Sequence, residues 1–166
     1  MIQPTNARRV RPNMPNYGVM PDATGRMLTW DWVERQMHEA RNYWICSVRA
    51  DGRPHSVPVW GAWVDGVLYF GTDKKSVKAR NIARDNRVVV HLDSGDETVI
   101  IEGSIVEAQT PETLLNRISE RYIEKYELDP ELDDSGDSLL RLAPAKLMAW
   151  LERDYPATAT YWLFDV

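Results

Sequence analysis

"YWICSVRADGRPHSVPVWGAWVDGVLYFGT", residues 43–72, is the stretch that decides the fold. Asp-Gly pairs at 51–52 and 65–66 cut it into three runs. Such pairs accept the positive φ of a tight hairpin turn, so the runs read as a three-stranded antiparallel meander. VPVWGAWV is apolar at both alternating sets of positions, which predicts a central strand covered on each side. Pro58 interrupts that strand, because proline has no N–H for the ladder. The interruption is either a plain bulge or a place where neighbouring backbone is left free to meet a ligand.

Downstream, "GTDKKSVKARNIARD", residues 71–85, carries the chain from strand to helix and gathers Lys74, Lys75, Lys78 and Arg80 around Ser76. Ser76 is placed to cap the helix VKARNIARD. RVVVHLD and ETVIIEGSIVEA then form a second hairpin around SGD. Pro111 opens the helix PETLLNRISERYIEKY, with Leu114, Leu115, Ile118, Tyr122 and Ile123 as its buried stripe. ELDPELDDSGD, residues 127–137, holds six acids and no base, which predicts a solvated loop. AKLMAWLE and TATYWLFDV supply two closing strands. Upstream, Thr29 caps a helix over 30–42 whose Val33, Met37 and Ala40 share a face. Residues 1–28 contain four prolines and the basic cluster Arg8, Arg9, Arg11, and are expected to form an extended arm.

The pattern therefore predicts a mainly β, α+β fold: six or seven antiparallel strands in a small barrel with peripheral helices. A length of 166 residues suits one domain, 29–166, after the arm. With 43% hydrophobic and 27% charged residues the composition is that of a globular protein. There is no apolar run of membrane-spanning length and no apolar signal core at the N-terminus, so a cytoplasmic protein is expected. The single cysteine, Cys46, leaves no disulfide framework and no thiolate cluster. His38, His55 and His91 lack metal-ligand spacing, so no metal site is expected. A net charge of -5 argues against nucleic acid as a partner.

In an acidic chain the basic turn at 74–80 asks for a reason. A helix start offers unpaired N–H groups and a positive dipole end to an anion. Thr72, Ser76 and Lys78 converge on that point and would cradle a phosphate. A capped surface helix with solvated lysines accounts for the same pattern equally well. The segment is not a nucleotide-triphosphate loop, which needs more glycine and a Gly-Lys-Ser step.

Residues 42–108 resemble the pyridoxamine 5'-phosphate oxidase-like split-barrel superfamily, and within it the actinobacterial flavin- and deazaflavin-dependent oxidoreductases. The resemblance implies an FMN or deazaflavin (coenzyme F420) cofactor at a homodimer interface. Thr72, Ser76 and Lys78 match its phosphate-binding positions, with Lys75 beside them. Val77 stands where an arginine is common. Val57, Pro58, Val59 and Trp60 match the strand whose backbone lies against the ring system. Thr98 matches a polar position facing the pyrimidine edge. The C-terminal TATYWLF has no arginine of the kind relatives carry, while Trp162 is expected to cover the ring from the partner subunit.

The implied function is hydride transfer from reduced F420 to an activated double bond of a small organic substrate. Lys74, Lys75, Arg80 and the arm arginines would suit the polyglutamate tail of that cofactor. Two alternatives stand beside it: an FMN-dependent oxidase or reductase of the pyridoxamine 5'-phosphate oxidase type, and a non-catalytic flavin or deazaflavin carrier. Tyr43, Tyr69 and His91 are candidate proton donors only as polar groups on barrel strands.

Overall fold

A computed structural model describes residues 5–21, 25–109, 111–128, 130 and 138–165. Nine strands and three helices follow one another as β1 (Ala7–Val10), α1 (Trp30–Glu39), β2 (Tyr43–Val48), β3 (Pro54–Val59), β4 (Ala62–Val64), β5 (Val67–Thr72), α2 (Val77–Arg84), β6 (Arg87–His91), β7 (Glu97–Glu107), α3 (Glu112–Tyr126), β8 (Ser138–Leu151) and β9 (Thr160–Phe164). All strand pairs are antiparallel, in the order β1-β9-β8-β7-β6-β2-β3, with β5 joined to β8 and β4 to β5. This is the open antiparallel sheet of a split barrel, α+β in class, as expected. It has nine strands rather than six or seven because β4 separates from β3 and part of the expected arm, Ala7–Val10, pairs with β9.

Both Asp-Gly turns form. Gly52 takes φ +83, and Asp65 and Gly66 take φ +52 and +76, the paired positive values of a tight hairpin turn. The segment between them departs from expectation. It is not one central strand: β3 pairs with β2, β4 pairs with β5, and the chain turns at Trp60–Gly61. The cause lies in α3. Tyr122 Oη donates to the Trp60 carbonyl (3.1 Å), Lys125 Nζ donates to the Gly61 carbonyl (3.0 Å), and Gly61 N–H donates to Tyr126 Oη (2.9 Å). The corner's backbone groups are satisfied by a helix instead of a ladder. Gly61 is also obligatory for contact, since a Cβ there would lie 2.9 Å from the Tyr69 carbonyl. β3 consequently ends the sheet, bonded among the described residues only to β2. That edge position is what admits Pro54 and Pro58.

Residue alternation sorts the sheet into two faces. Ile45, Val90, Ile101, Leu147 and Trp162 lie side by side across β2, β6, β7, β8 and β9, and each is at most 1% exposed. With Tyr43, Leu68, Phe70 and Met37 they make the core. One residue along, Trp44, His91, Ile100, Met148 and Tyr161 form the matching row on the other face, all only half-buried. At Gly103 a Cβ would meet the Ala143 carbonyl at 2.4 Å; the register shifts beside it, and β8 there leaves β9 and reaches β5.

Thr29 caps α1, accepting from Trp32 N–H, but the helix ends at Glu39 rather than 42. Val33 and Met37 are buried as expected. On α3 the buried face is Ile118, Tyr122 and Tyr126, while Ile123 is 46% exposed, because the helix packs on the β3–β4 corner through its tyrosines. β8 begins at Ser138, earlier than the expected closing strand. Most of the acidic loop 127–137 lies outside the described residues. No helix among those described is long and apolar enough to cross a membrane.

Candidate functional site

β5 ends at Thr72 and α2 begins at Val77, so four residues, Asp73 to Ser76, make the turn. Asp73 shapes it: its carbonyl accepts from Ser76 N–H (3.0 Å) and its carboxylate from Lys75 N–H (2.7 Å). Ser76 is the N-cap, its Oγ accepting from Ala79 N–H (3.1 Å). The same Oγ lies 3.2 Å from Thr72 Oγ1. Two hydroxyls thus meet at the helix start, beside first-turn N–H groups that have no acceptor within their own helix. Arg80 does not point at this spot; its guanidinium donates to the Lys75 carbonyl and braces the turn.

A second strand pair reaches the same place. Asn81 Nδ2 donates to Ser47 Oγ (3.0 Å) in a buried contact that fastens α2 to β2. Ser47 pairs across the ladder with His55 on β3. Lys78, one turn before Asn81 on the same helix face, is thereby brought near His55. Burial lowers the His55 pKa, and the neighbouring cations Arg49 and Lys78 lower it further. Its Nδ1 is buried with no hydrogen-bond partner. The helix start with its hydroxyl pair, and the Lys78–His55 pair on the adjoining face of α2, offer cationic and polar groups that suit a phosphate dianion. The sequence reading passed over His55, weighing it only as a metal ligand; the signal available was its place two residues before Val57 on the ring-contact strand.

Of the predicted ring contacts, Val57 is half-buried and Val59 buried toward the core, while Pro58 faces out. Because β3 is an edge among the described residues, one side of its backbone is not taken by a ladder. Trp60 closes this strand. It is 45% exposed and stacked on Tyr126, with centroids 4.5 Å apart and planes 10° off parallel. Val77 takes the first helical position, where it offers an N–H and no charge.

Two expected residues are already engaged within the fold. Trp162 is fully buried in its own core, edge-to-face with Trp30 at 5.8 Å, because the alternation of β9 turns it inward. It has no free face to lay over a ring bound by another subunit. Thr98 is buried and donates its hydroxyl to the Gly95 carbonyl at 2.7 Å, so its side chain is engaged in the SGD turn.

The candidate proton donors differ. Tyr43 is wholly buried, donates to the Met37 carbonyl at 2.6 Å, and has its pKa raised, first by burial. Burial also raises Tyr69. His91 stacks on Trp44, planes 1° apart, and its Nδ1 lies 2.8 Å from the Leu92 carbonyl, to which it donates.

Beneath the β3–β4 corner sits Lys125. Its ammonium donates to Tyr43 Oη and the Gly61 carbonyl, both at 3.0 Å, and lies 4.2 Å from the Tyr43 ring centroid. Burial, then the like charges of Arg121 and Arg41, push its pKa down to about 7. On the arm, Arg9 donates to the Leu28 carbonyl and Arg11 to those of Pro156 and Ala157, while Arg8, Arg9 and Arg11 line an open cavity of about 580 Å³.

Comparison with known proteins agrees with this fold. Among solved structures, a conserved hypothetical protein from Mycobacterium tuberculosis is 26% identical, with TM-score 0.64 over 80% of this chain and 89% of that one. The General Stress Protein 26 of Bacillus anthracis is 25% identical, TM-score 0.57, over 72% and 91%. An F420 reductase shares the fold at 23% identity, TM-score 0.53, over 69% and 94%. No curated protein matches. The protein-family model described as pyridoxamine 5'-phosphate oxidase matches residues 30–151, well over half of the chain. The chain belongs to the pyridoxamine 5'-phosphate oxidase family of split barrels.

Proposed function

We propose that the chain is a flavin-class oxidoreductase whose cofactor phosphate sits against Thr72, Ser76 and Lys78, with coenzyme F420 as the cofactor. The observation that carries this reading is the Thr72–Ser76 hydroxyl pair at the start of α2, with Lys78 on the same helix and the partnerless Nδ1 of His55 beside Lys78 supporting it. The bound cofactor would supply a hydride to an activated double bond of a small organic substrate. The chain's own part is to hold and orient. Its α2 start and hydroxyls fix the phosphate, Lys78 neutralises it, and the open edge of β3 from Val57 to Trp60 offers backbone groups to the ring edge. Trp60, held on Tyr126, would shield one end of the ring from water.

A second copy completes the site in this reading. The row Trp44, His91, Ile100, Met148 and Tyr161 is a half-buried, largely apolar surface spanning five strands, and it supports a homodimer.

FMN is the second reading, and a specific observation favours it. Arg9 and Arg11 already donate to backbone carbonyls, which reduces the charge free for a polyglutamate tail. Salt separates the two. Exposed ion pairs to a tail are worth roughly 0.2–1 kcal/mol each and are screened. F420 affinity should therefore fall between low and high salt more steeply than FMN affinity. Replacing Arg8, Arg9 and Arg11 by Ser should flatten that difference. FMN binding tighter than F420 at every salt concentration, with no effect of the arm, establishes the FMN reading instead.

A further inference from the structure

A cleft of about 810 Å³ opens between α1, α3 and the β4–β5 turn. Six residue steps of extended chain lead from Gly66 in that turn to Thr72, a span of about 20 Å, so the cleft lies at the far end of β5 from the proposed phosphate corner. Its floor is Glu34, which is 7% exposed. Trp30 Nε1 donates to Glu34 Oε1 and Trp63 Nε1 donates to Oε2, each at 2.9 Å. Both oxygens accept from an indole, and each keeps a further lone pair. Gly66 keeps the approach open; a Cβ there would sit 3.4 Å from Oε1.

Among the described residues no cation pairs with Glu34. Arg117 grips Asp65 with both terminal nitrogens, and Arg121 pairs with Glu124 and donates to the His38 carbonyl, while its Nε has no partner. Outside those pairs the cleft is lined by Glu34, Glu120, Arg35 and His38, one net negative charge with the imidazole neutral, over a wall of two indoles. A buried carboxylate without a counter-charge is costly, and the cost is relieved by a cation entering the cleft. The cation is not a metal ion by this chemistry. Among the described residues no three His, Cys, Asp or Glu side chains group as a metal would need.

We propose that the cleft is a binding site for an organic ammonium ion. The charged nitrogen of an amine-bearing small molecule meets Glu34, and its apolar body lies against Trp30 and Trp63. The volume is that of a pocket for a small-molecule ligand.

Three probes of one shape and different charge test this: phenethylammonium, 2-phenylethanol and phenylacetate, titrated into the 15N-labelled full chain. The readout is the indole N–H resonances of Trp30 and Trp63, assigned from Trp63→Phe. Phenethylammonium should shift both signals saturably, and the neutral and anionic probes should not. Glu34→Gln, which leaves an oxygen for an indole, should weaken the ammonium probe at least tenfold. Should that variant fail to fold, Glu120→Lys at the exposed rim reports instead, weakening the same probe several-fold with the melting temperature unchanged. Equal shifts from all three probes, no shift from any, or undiminished ammonium affinity in a folded Glu34→Gln or Glu120→Lys overturns the proposal.

Discussion

The hydroxyls of Thr72 and Ser76 lie 3.2 Å apart at the junction of β5 and α2, and Ser76 also caps that helix. In the proposed reading one side chain would serve both the fold and the ligand. Ser76→Ala should cost about 1 kcal/mol of stability, the usual worth of a cap. Cofactor should restore less stability to the variant than to wild type. Urea denaturation with and without cofactor measures both effects. A cofactor-induced gain equal in the two proteins contradicts a ligand role for Ser76.

His55 gives a pH signature. Burial, Arg49 and Lys78 hold its pKa below the ordinary value in the free protein. A phosphate dianion beside Lys78 offsets the two cations, so the His55 pKa rises on binding. Ligand and proton then bind together, and affinity for a phosphate-bearing cofactor strengthens as pH falls through the histidine range. The phosphate takes up its own second proton near pH ~6, so the comparison is with His55→Asn. The variant should show a flatter affinity profile from about pH 6.5 downward, where the free and bound values of His55 lie. Identical profiles would place His55 away from the phosphate.

Lys125 predicts the pH dependence of stability. Its folded pKa, pushed down to about 7, lies below the value of an exposed lysine. Between those values the unfolded chain binds the extra proton, so stability rises with pH from about 7 upward. The folded-state pKa values of Tyr43, Tyr122 and Tyr126 are raised, first by burial, so they act in the opposite sense above the ordinary tyrosine range. The window is therefore pH 7 to about 10. Lys125→Met should flatten the rise of melting temperature across it. An unchanged slope in the variant refutes the assignment.

Much of this was legible in residues 43–108. The Asp-Gly turns fixed two hairpins, and Ser76 announced its own helix. The break at Trp60–Gly61 was not legible, because its cause is α3, some sixty residues away, whose Tyr122, Lys125 and Tyr126 capture the corner's backbone. The apolar run 57–64 mimics a doubly covered strand, whereas among the described residues β3 is an edge and β4 is buried under a helix. Trp162 illustrates the same limit. Aromatic composition says that a ring exists, while only the register with Leu147 says it faces inward. His55 was overlooked because its meaning depends on Lys78, which sequence distance hides.

The open sheet face predicts assembly. Ile100 stands at the centre of the row from Trp44 to Tyr161. Light scattering of wild type should report a dimer, with an interface of about 1,600 Å² or more. Ile100→Glu places a charge in that row and should yield a monomer with weaker cofactor binding. A wild-type monomer that binds cofactor tightly refutes the shared site.

The central claim is that a cofactor phosphate is held at Thr72, Ser76 and Lys78. The most direct test is fluorescence titration of wild type and Lys78→Ala with each cofactor and its phosphate-free form: FMN against riboflavin, and F420 against its chromophore lacking the phosphate and tail. Wild type should bind the phosphorylated form of its cofactor at least tenfold more tightly. Lys78→Ala should lose about 1.5–3 kcal/mol with the phosphorylated form, the range of a charged hydrogen bond, and almost nothing with the other. Equal affinity of wild type for phosphorylated and phosphate-free forms, or an unchanged gap in Lys78→Ala, would contradict the account.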